Sequence, residues 1–300
     1  MAITAACIVY RNASLETLDK LLSVIDGAGI ALKAVWANSV MDRPTLELCE
    51  RWGAEPMGTG RNLGIAVALN QFSDWAMRAK AMAAVVFDED SQVNTLDLVT
   101  LQQEFMALKR EPEHCAAIGP RLLDARTGER MVQFTPYTWR RKTLRRDLQA
   151  DHLITSCMLF DLSVYQTVGP FNENFFIDLV DIEWCLRARS KGYTLHVSPT
   201  VTMRQSIGIN TKKFGDRSVY VHHPDRNFFQ IRNALWLIRH APMPFSRRLN
   251  ETAHLLMRIG HILLFGDNRS TRVKFIVRGL FSGFKAPSTQ IKSANPPFSR

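Results

Sequence analysis

Ala84-Val85-Val86-Phe87-Asp88-Glu89-Asp90-Ser91 is the stretch on which the fold turns. Four apolar residues, two of them β-branched, read as a buried strand. Three carboxylates and a hydroxyl follow at once. In an open α/β sheet, ligands bind just beyond the carboxyl ends of the strands. Asp88 and Asp90 stand two residues apart, so both side chains fall on the same side. Each offers hard oxygen atoms suited to Mg²⁺ or Mn²⁺, metals usually held by one or two carboxylates plus substrate phosphates. A solvated acidic turn has the same spelling, so the pair needs company before it means a site.

Outward from this strand, apolar and amphipathic segments alternate. On the N-terminal side, Ala5 to Tyr10 predicts a strand. Ser14 caps a helix with Leu15, Leu18, Leu21, Leu22 and Ile25 at helical spacing, ended by Gly27. Ile30 to Ala37 predicts a second strand, Leu46 to Trp52 a helix, and Asn62 to Ala81 a longer segment with helical spacing through Phe72 and Trp75. After the acidic turn come a helix from Leu96 to Lys109 and a strand from Ala116 to Pro120. The alternation predicts an α/β fold with a doubly wound, mainly parallel, Rossmann-like sheet. Leu153 to Phe160 reads as a further buried strand with Thr155-Ser156-Cys157 at its polar middle.

Composition narrows the classes. The 300 residues are 46% hydrophobic and carry a formal net charge of +10, enough core for one large domain and enough charge to favour polyanionic partners. Five cysteines, odd in number and without a C-x-x-C pair, argue for a reducing compartment and against a zinc or disulfide framework. The start lacks a basic leader, and no apolar run is long enough to span a bilayer. Nucleic acid is discounted as a partner, because no recognition motif accompanies the charge. A nucleotidyltransferase would need a glycine-rich phosphate loop after the first strand, and Tyr10-Arg11-Asn12-Ala13-Ser14 is not one.

A second acidic cluster lies beyond Gly169-Pro170. Asp178, Asp181 and Glu183 are expected at the start of a helix carrying Trp184, Leu186 and Ala188. Carboxylates suit a helix N-terminus, but acids beside aromatics also suit a general base.

With these motifs in order, the chain resembles the inverting glycosyltransferases of the GT-A fold, and within them the bacterial rhamnosyltransferases. The likeness rests on five motifs. These are Asn62-x-Gly64-Ile65-Ala66-x-Ala68-x-Asn70; Asp88-Glu89-Asp90-Ser91; Gly119-Pro120-Arg121-Leu122; Phe176-Ile177-Asp178-x-Val180-Asp181-x-Glu183-Trp184-Cys185; and His222-x-Pro224-x-Arg226-x-Phe228-Phe229-x-x-Arg232-Asn233. It implies transfer of L-rhamnose from dTDP-L-rhamnose to a lipid-linked or oligosaccharide acceptor, with Mg²⁺ or Mn²⁺. Asp181 would be the base. Asp178, Glu183 and Trp184 would hold or orient the acceptor. Asn38, Asn62, Asp88, Ser156 and Arg226 would bind the nucleotide sugar, and Asp88 and Asp90 the metal. Two departures stand out. Val35-Trp36-Ala37-Asn38-Ser39 lacks the family's nucleoside-binding acid, and Gln205 occupies the place of a metal-binding histidine. Gln205 would itself offer a neutral carbonyl oxygen to the metal, or His222 or His223 would substitute, or Asp88, Asp90 and the diphosphate would hold it alone. A degenerate scaffold that binds sugar nucleotide or glycan without turnover is the alternative reading.

The expected organisation is a catalytic domain over residues 1–240, with a nucleotide half of about 1–125 and an acceptor half of about 150–240. Trp139-Arg140-Arg141-Lys142 and Arg145-Arg146 form a basic loop between them. Residues 241–285 form a basic, amphipathic helical extension that contacts a membrane or a second subunit of a homo-oligomer. Residues 286–300 form a disordered tail. The expected location is the cytoplasm, peripheral at an anionic membrane surface.

Overall fold

The computed structural model describes residues 4–11, 13–111, 114–124, 128, 149–205, 210–214, 217–221, 223–266 and 268–285. The basic loop around residues 139–146, His222 and the tail from 286 lie outside the described residues, as does the side chain of Gln205.

Seven strands form the main sheet in the order β3-β2-β1-β4-β6-β5-β7. They are β1 (Thr4–Tyr10), β2 (Leu32–Ala37), β3 (Ala54–Met57), β4 (Ala83–Asp88), β5 (Cys115–Asp124), β6 (Met158–Asp161) and β7 (Thr194–Gln205). β1 pairs parallel to both β2 and β4, and β5 pairs parallel to β7. β6 alone runs the other way, antiparallel to β4 and to β5. A separate hairpin pairs β8 (Asn210–Phe214) with β9 (Arg217–Val221).

Helices cover both faces. On one, α1 (Leu15–Gly27), α2 (Arg43–Trp52) and α4 (Thr95–Leu108) bury Leu18, Leu48 and Phe105 against Val85 and Phe87. On the other, α3 (Ile65–Arg78), α5 (Leu162–Val168) and α6 (Val180–Ser190) bury Phe72, Tyr165 and Trp184 against Trp36, Val86 and Phe160. β4 is therefore sandwiched, which explains its unbroken apolar run. The helix starts follow local chemistry. Ser14, Asp42, Asn94 and Asp161 each accept a bond from a first-turn amide, satisfying donors that the helix leaves open.

Two expectations change. Residues 153–157 are not strand. Cys157 has φ +60, its amide donates to Val86 O, and Met158 N donates back to Thr155 O. The apolar run thus turns tightly before β6 begins at Met158. Asp178 also lies outside the helix. Phe176, Asp178 and Leu179 all have positive φ, and α6 starts only at Val180.

The C-terminal helices are α7 (Arg226–His240), α8 (Phe245–Phe265) and α9 (Arg269–Phe284). α9 packs closely on α7 because Gly279 and Gly283 lack a side chain. A Cβ there would lie 2.9 Å from Phe228 O and 3.0 Å from Arg232 O.

Candidate active site

The carboxyl end of β4 carries the acidic turn into a cleft floored by residues 155–157. Ser91 Oγ and Ser156 Oγ share a 2.8 Å hydrogen bond, and Ser156 also bonds the Asp88 carboxylate. Glu89 turns away. Its Oε2 accepts from the amides of Arg11 at 2.6 Å and Ala13 at 2.8 Å, lacing the loop after β1 to the loop after β4. Of the three carboxylates, Asp88 and Asp90 remain for the cleft.

Asp181 joins them from the first turn of α6. Its Oδ2 accepts from Thr155 N at 3.0 Å and Thr155 Oγ1 at 3.3 Å, and its Oδ1 from Ile182 N at 2.8 Å. Adjacent residues of one turn thus hold the two acids, Ser156 on Asp88 and Thr155 on Asp181. Asp88 is pushed up to about 6 by burial, then by the negative charges of Asp90 and Asp181, against the pull of Ser156 and Arg226. Asp181 is also raised, chiefly by burial, despite its amide donors. A raised carboxylate is a stronger base.

Arg226 opens α7 and grips Asp178 with two nitrogens, Nε at 3.0 Å from Oδ2 and Nη2 at 2.8 Å from Oδ1. Burial alone would lower the guanidinium. The bonds and charge of Asp178, with the charge of Asp88, raise it instead. The loop carrying Asp178 is strained at three residues, each worth about 1–3 kcal/mol, and one buried amide gathers it. Asn233 Nδ2 donates to Phe175 O, Ile177 O and Asp178 O at 2.7–2.9 Å. On its other side the loop meets Gly64, whose φ is +87. Ile65 N donates to Phe176 O at 2.7 Å, and the Phe176 ring stacks on Phe229 at 5.0 Å.

Several expected site residues are placed elsewhere. Both oxygens of Glu183 are taken by Arg187, at 2.7 and 2.9 Å, and Arg187 also donates to Val168 O and Pro170 O. That pair, a buried Glu183 with a half-buried Arg187, pins the Gly169-Pro170 turn. Trp184 is wholly buried and donates to Gly169 O. Both are buried, and their polar atoms are taken up by Arg187 and by Gly169 O. His223 is mostly exposed and pairs with Asp225. Trp36 is core, and its Nε1 donates to Asn38 Oδ1 at 3.1 Å, which leaves the side-chain Nδ2 of Asn38, at the end of β2, without a partner among the described residues. Asn62 Oδ1 accepts from Gly64 N at 3.0 Å, shaping the turn into α3. Thr155, which holds the Asp181 carboxylate, and Asn233, which gathers the loop carrying Asp178, were not singled out from sequence in these roles. The only hints were the place of Asn233 in the last motif and of Thr155 at the polar middle of the run from Leu153 to Phe160.

Among the described residues, no three His, Cys, Asp or Glu side chains are grouped to hold a metal alone. The rim does fit a hard divalent cation that arrives with a diphosphate. Asp88 and Asp90 would supply carboxylate oxygens, and a cation there would offset the burial and the neighbouring charges of Asp90 and Asp181 that raise Asp88. The free protein should show this as pH dependence. A carboxylate raised on folding stabilises the fold below its unfolded value of 3.8, and that contribution is lost as pH climbs through about 6. In chelator, Asp88→Asn is expected to raise Tm at neutral pH and to narrow its lead over wild type at pH 4. Differential scanning fluorimetry of the pair checks this, and an equal lead at both pH values refutes it.

No family model matches the sequence. The chain is 25% identical over 235 residues to the dTDP-rhamnosyl transferase RfbF of Shigella flexneri, covering 75% of this chain and 77% of that one. A shorter match, 30% identical over 86 residues, reaches 28% of the low-salt glycan biosynthesis hexosyltransferase Agl10 of Haloferax volcanii. Solved structures share the fold at 12% identity. S. aureus TarS with UDP-GlcNAc has a TM-score of 0.56, covering 93% of this chain and 82% of that one. GalNAc-T7 with UDP, GalNAc and Mn²⁺ has a TM-score of 0.59, covering 92% and 55%.

Proposed function

We propose that this chain, a rhamnosyltransferase-like glycosyltransferase with the GT-A fold, moves L-rhamnose from dTDP-L-rhamnose to a lipid-linked saccharide at the inner face of a membrane, with inversion. The observation that carries the chemistry is the turn Thr155-Ser156, which ties Asp181 and Asp88 to one cleft. Asp181 takes the proton of the acceptor hydroxyl as its oxygen attacks the anomeric carbon. The bond from that carbon to the diphosphate breaks, and the diphosphate leaves with the electron pair. Asp88 and Asp90 would hold Mg²⁺ or Mn²⁺, which supplies Lewis-acid stabilisation of the leaving charge. Arg226, fixed by Asp178, turns its remaining N–H groups to phosphate oxygens, a geometry guanidinium suits. The Asn38 amide, oriented by Trp36, offers a donor to a base carbonyl.

The donor assignment is tested by thermal shift with nucleoside diphosphates, with and without Mn²⁺. The expected result is a Tm rise with dTDP that needs the cation, through ligand linkage. A cation-dependent rise with UDP or GDP but not dTDP overturns it.

A further inference from the structure

We infer that α8 and α9 form a docking face for an anionic lipid bilayer. Fifteen large hydrophobic side chains are exposed among the described residues, and ten belong to these two helices. Scattered exposed leucines are ordinary; a concentration of this kind marks an interaction surface. The sequence suggests one broad apolar face on α8, but the structure divides it. Leu255, Ile259 and Ile262 turn inward against Ile231 and Ile276, while Leu249, Leu256 and Leu263 form a separate outward row at intervals of seven residues. On α9, Gly279 and Gly283 face α7, and Val273, Val277 and Phe281 point out at intervals of four.

Charge identifies the occupant. Residues 245–285 carry eight Lys or Arg and two acids; Arg247 and Arg272 are buried, which leaves six basic residues for the surface, and α9 contains no acid at all. Lys274 and Arg278 are exposed one position beyond Val273 and Val277, so each basic side chain borders the apolar row. A second copy would bring the same positive charge against itself. Anionic headgroups complement it, with the apolar rows seated at the headgroup–acyl boundary. No helix among the described residues is long and apolar enough to cross a membrane, so the contact lies in the plane of the surface. The face is built on α7, the helix whose first residue is Arg226 of the cleft. The inference rests on the membrane-borne acceptor proposed above only for its purpose, since docking requires no sugar transfer.

The test is co-sedimentation of the full chain with phosphatidylcholine vesicles, with and without about a third phosphatidylglycerol, at two salt concentrations. Wild type should bind the anionic vesicles, less at high salt. Lys274→Glu with Arg278→Glu should lower partitioning about 25-fold or more, and Leu256→Ser with Leu263→Ser and Phe281→Ser by more than about tenfold. Both variants should keep wild-type Tm and the Mn²⁺-dependent dTDP shift. Equal binding to neutral vesicles, no binding, or full binding by either variant overturns the inference. So does a wild-type dimer in light scattering that the serine variant dissolves, because the face would then belong to a second copy. Loss of the dTDP shift with vesicle binding intact would count against the donor assignment instead.

Discussion

Asp181→Asn is expected to lower turnover by about 10²–10⁴, the range that a positioned general base contributes, while the protein folds and still binds its donor. The geometry gives this a specific cost. Asp181 accepts from two amides and a hydroxyl on its two oxygens. In either orientation an asparagine turns its NH₂ towards one of those donors, so one amide loses its partner. That costs about 1–3 kcal/mol, within the roughly 5–15 kcal/mol by which a domain is stable. Removing a buried charge beside Asp88 offsets part of it. Initial rates, read beside circular dichroism and the Mn²⁺-dependent dTDP shift, separate chemistry from folding. A folded variant that keeps most of its rate would falsify the base assignment and favour a non-catalytic scaffold.

Gly64→Ala is expected to be severely damaging for the addition of a single methyl group. Gly64 has φ +87 and ψ 163, a region essentially reserved for glycine. An added Cβ would also sit 2.5 Å from Phe176 O and 2.6 Å from the Phe176 ring. Phe176 has little room to retreat, being stacked on Phe229 and followed by Asp178 and Leu179 at positive φ. Strain and the lost Ile65–Phe176 bond together should cost about 3 kcal/mol or more, with a fall in Tm of roughly 5–10 °C. The rate should fall further than stability alone explains, because the displaced loop carries Asp178 and leads into Asp181. Gly53→Ala is the control. Gly53 is left-handed at φ +59 with nothing within 4 Å of an added Cβ, so it should lose only about 1 kcal/mol. Equal losses at the two sites would show that the approach of Gly64 to Phe176 is slack.

The first half of the fold was legible because each element there has a single, undiluted period. β1, β2 and β4 are apolar runs buried on both faces, and α1 and α4 carry apolar stripes behind clear N-caps. β3 escaped because Ala54-Glu55-Pro56-Met57 is short, half-exposed and contains a proline that reads as turn chemistry. Leu153–Cys157 misled for the opposite reason. It is apolar enough for a strand, but nothing in its composition announces a left-handed cysteine. In the candidate site, motif order singled out Asp88, Asp90 and Asp181, and the fold brings these three near one another. Glu183 and Trp184 stand in the same motif, yet belong to the core. A motif shows a likeness of spelling, and the partners each side chain finds in the fold decide which of them can face a ligand.

β6 has a bearing on how the molecule comes into being. It sits between β4 and β5, although both precede it along the chain. A nascent polypeptide halted short of Met158 would have made both neighbours while leaving between them a gap of about two strand spacings, roughly 10 Å. Two bare ladders would line that gap, each open to capture by another chain. The strand that fills it follows directly on Thr155 and Ser156. Closing the sheet and furnishing the cleft are therefore one late event in biogenesis, and incomplete translation products should be sticky as well as inert.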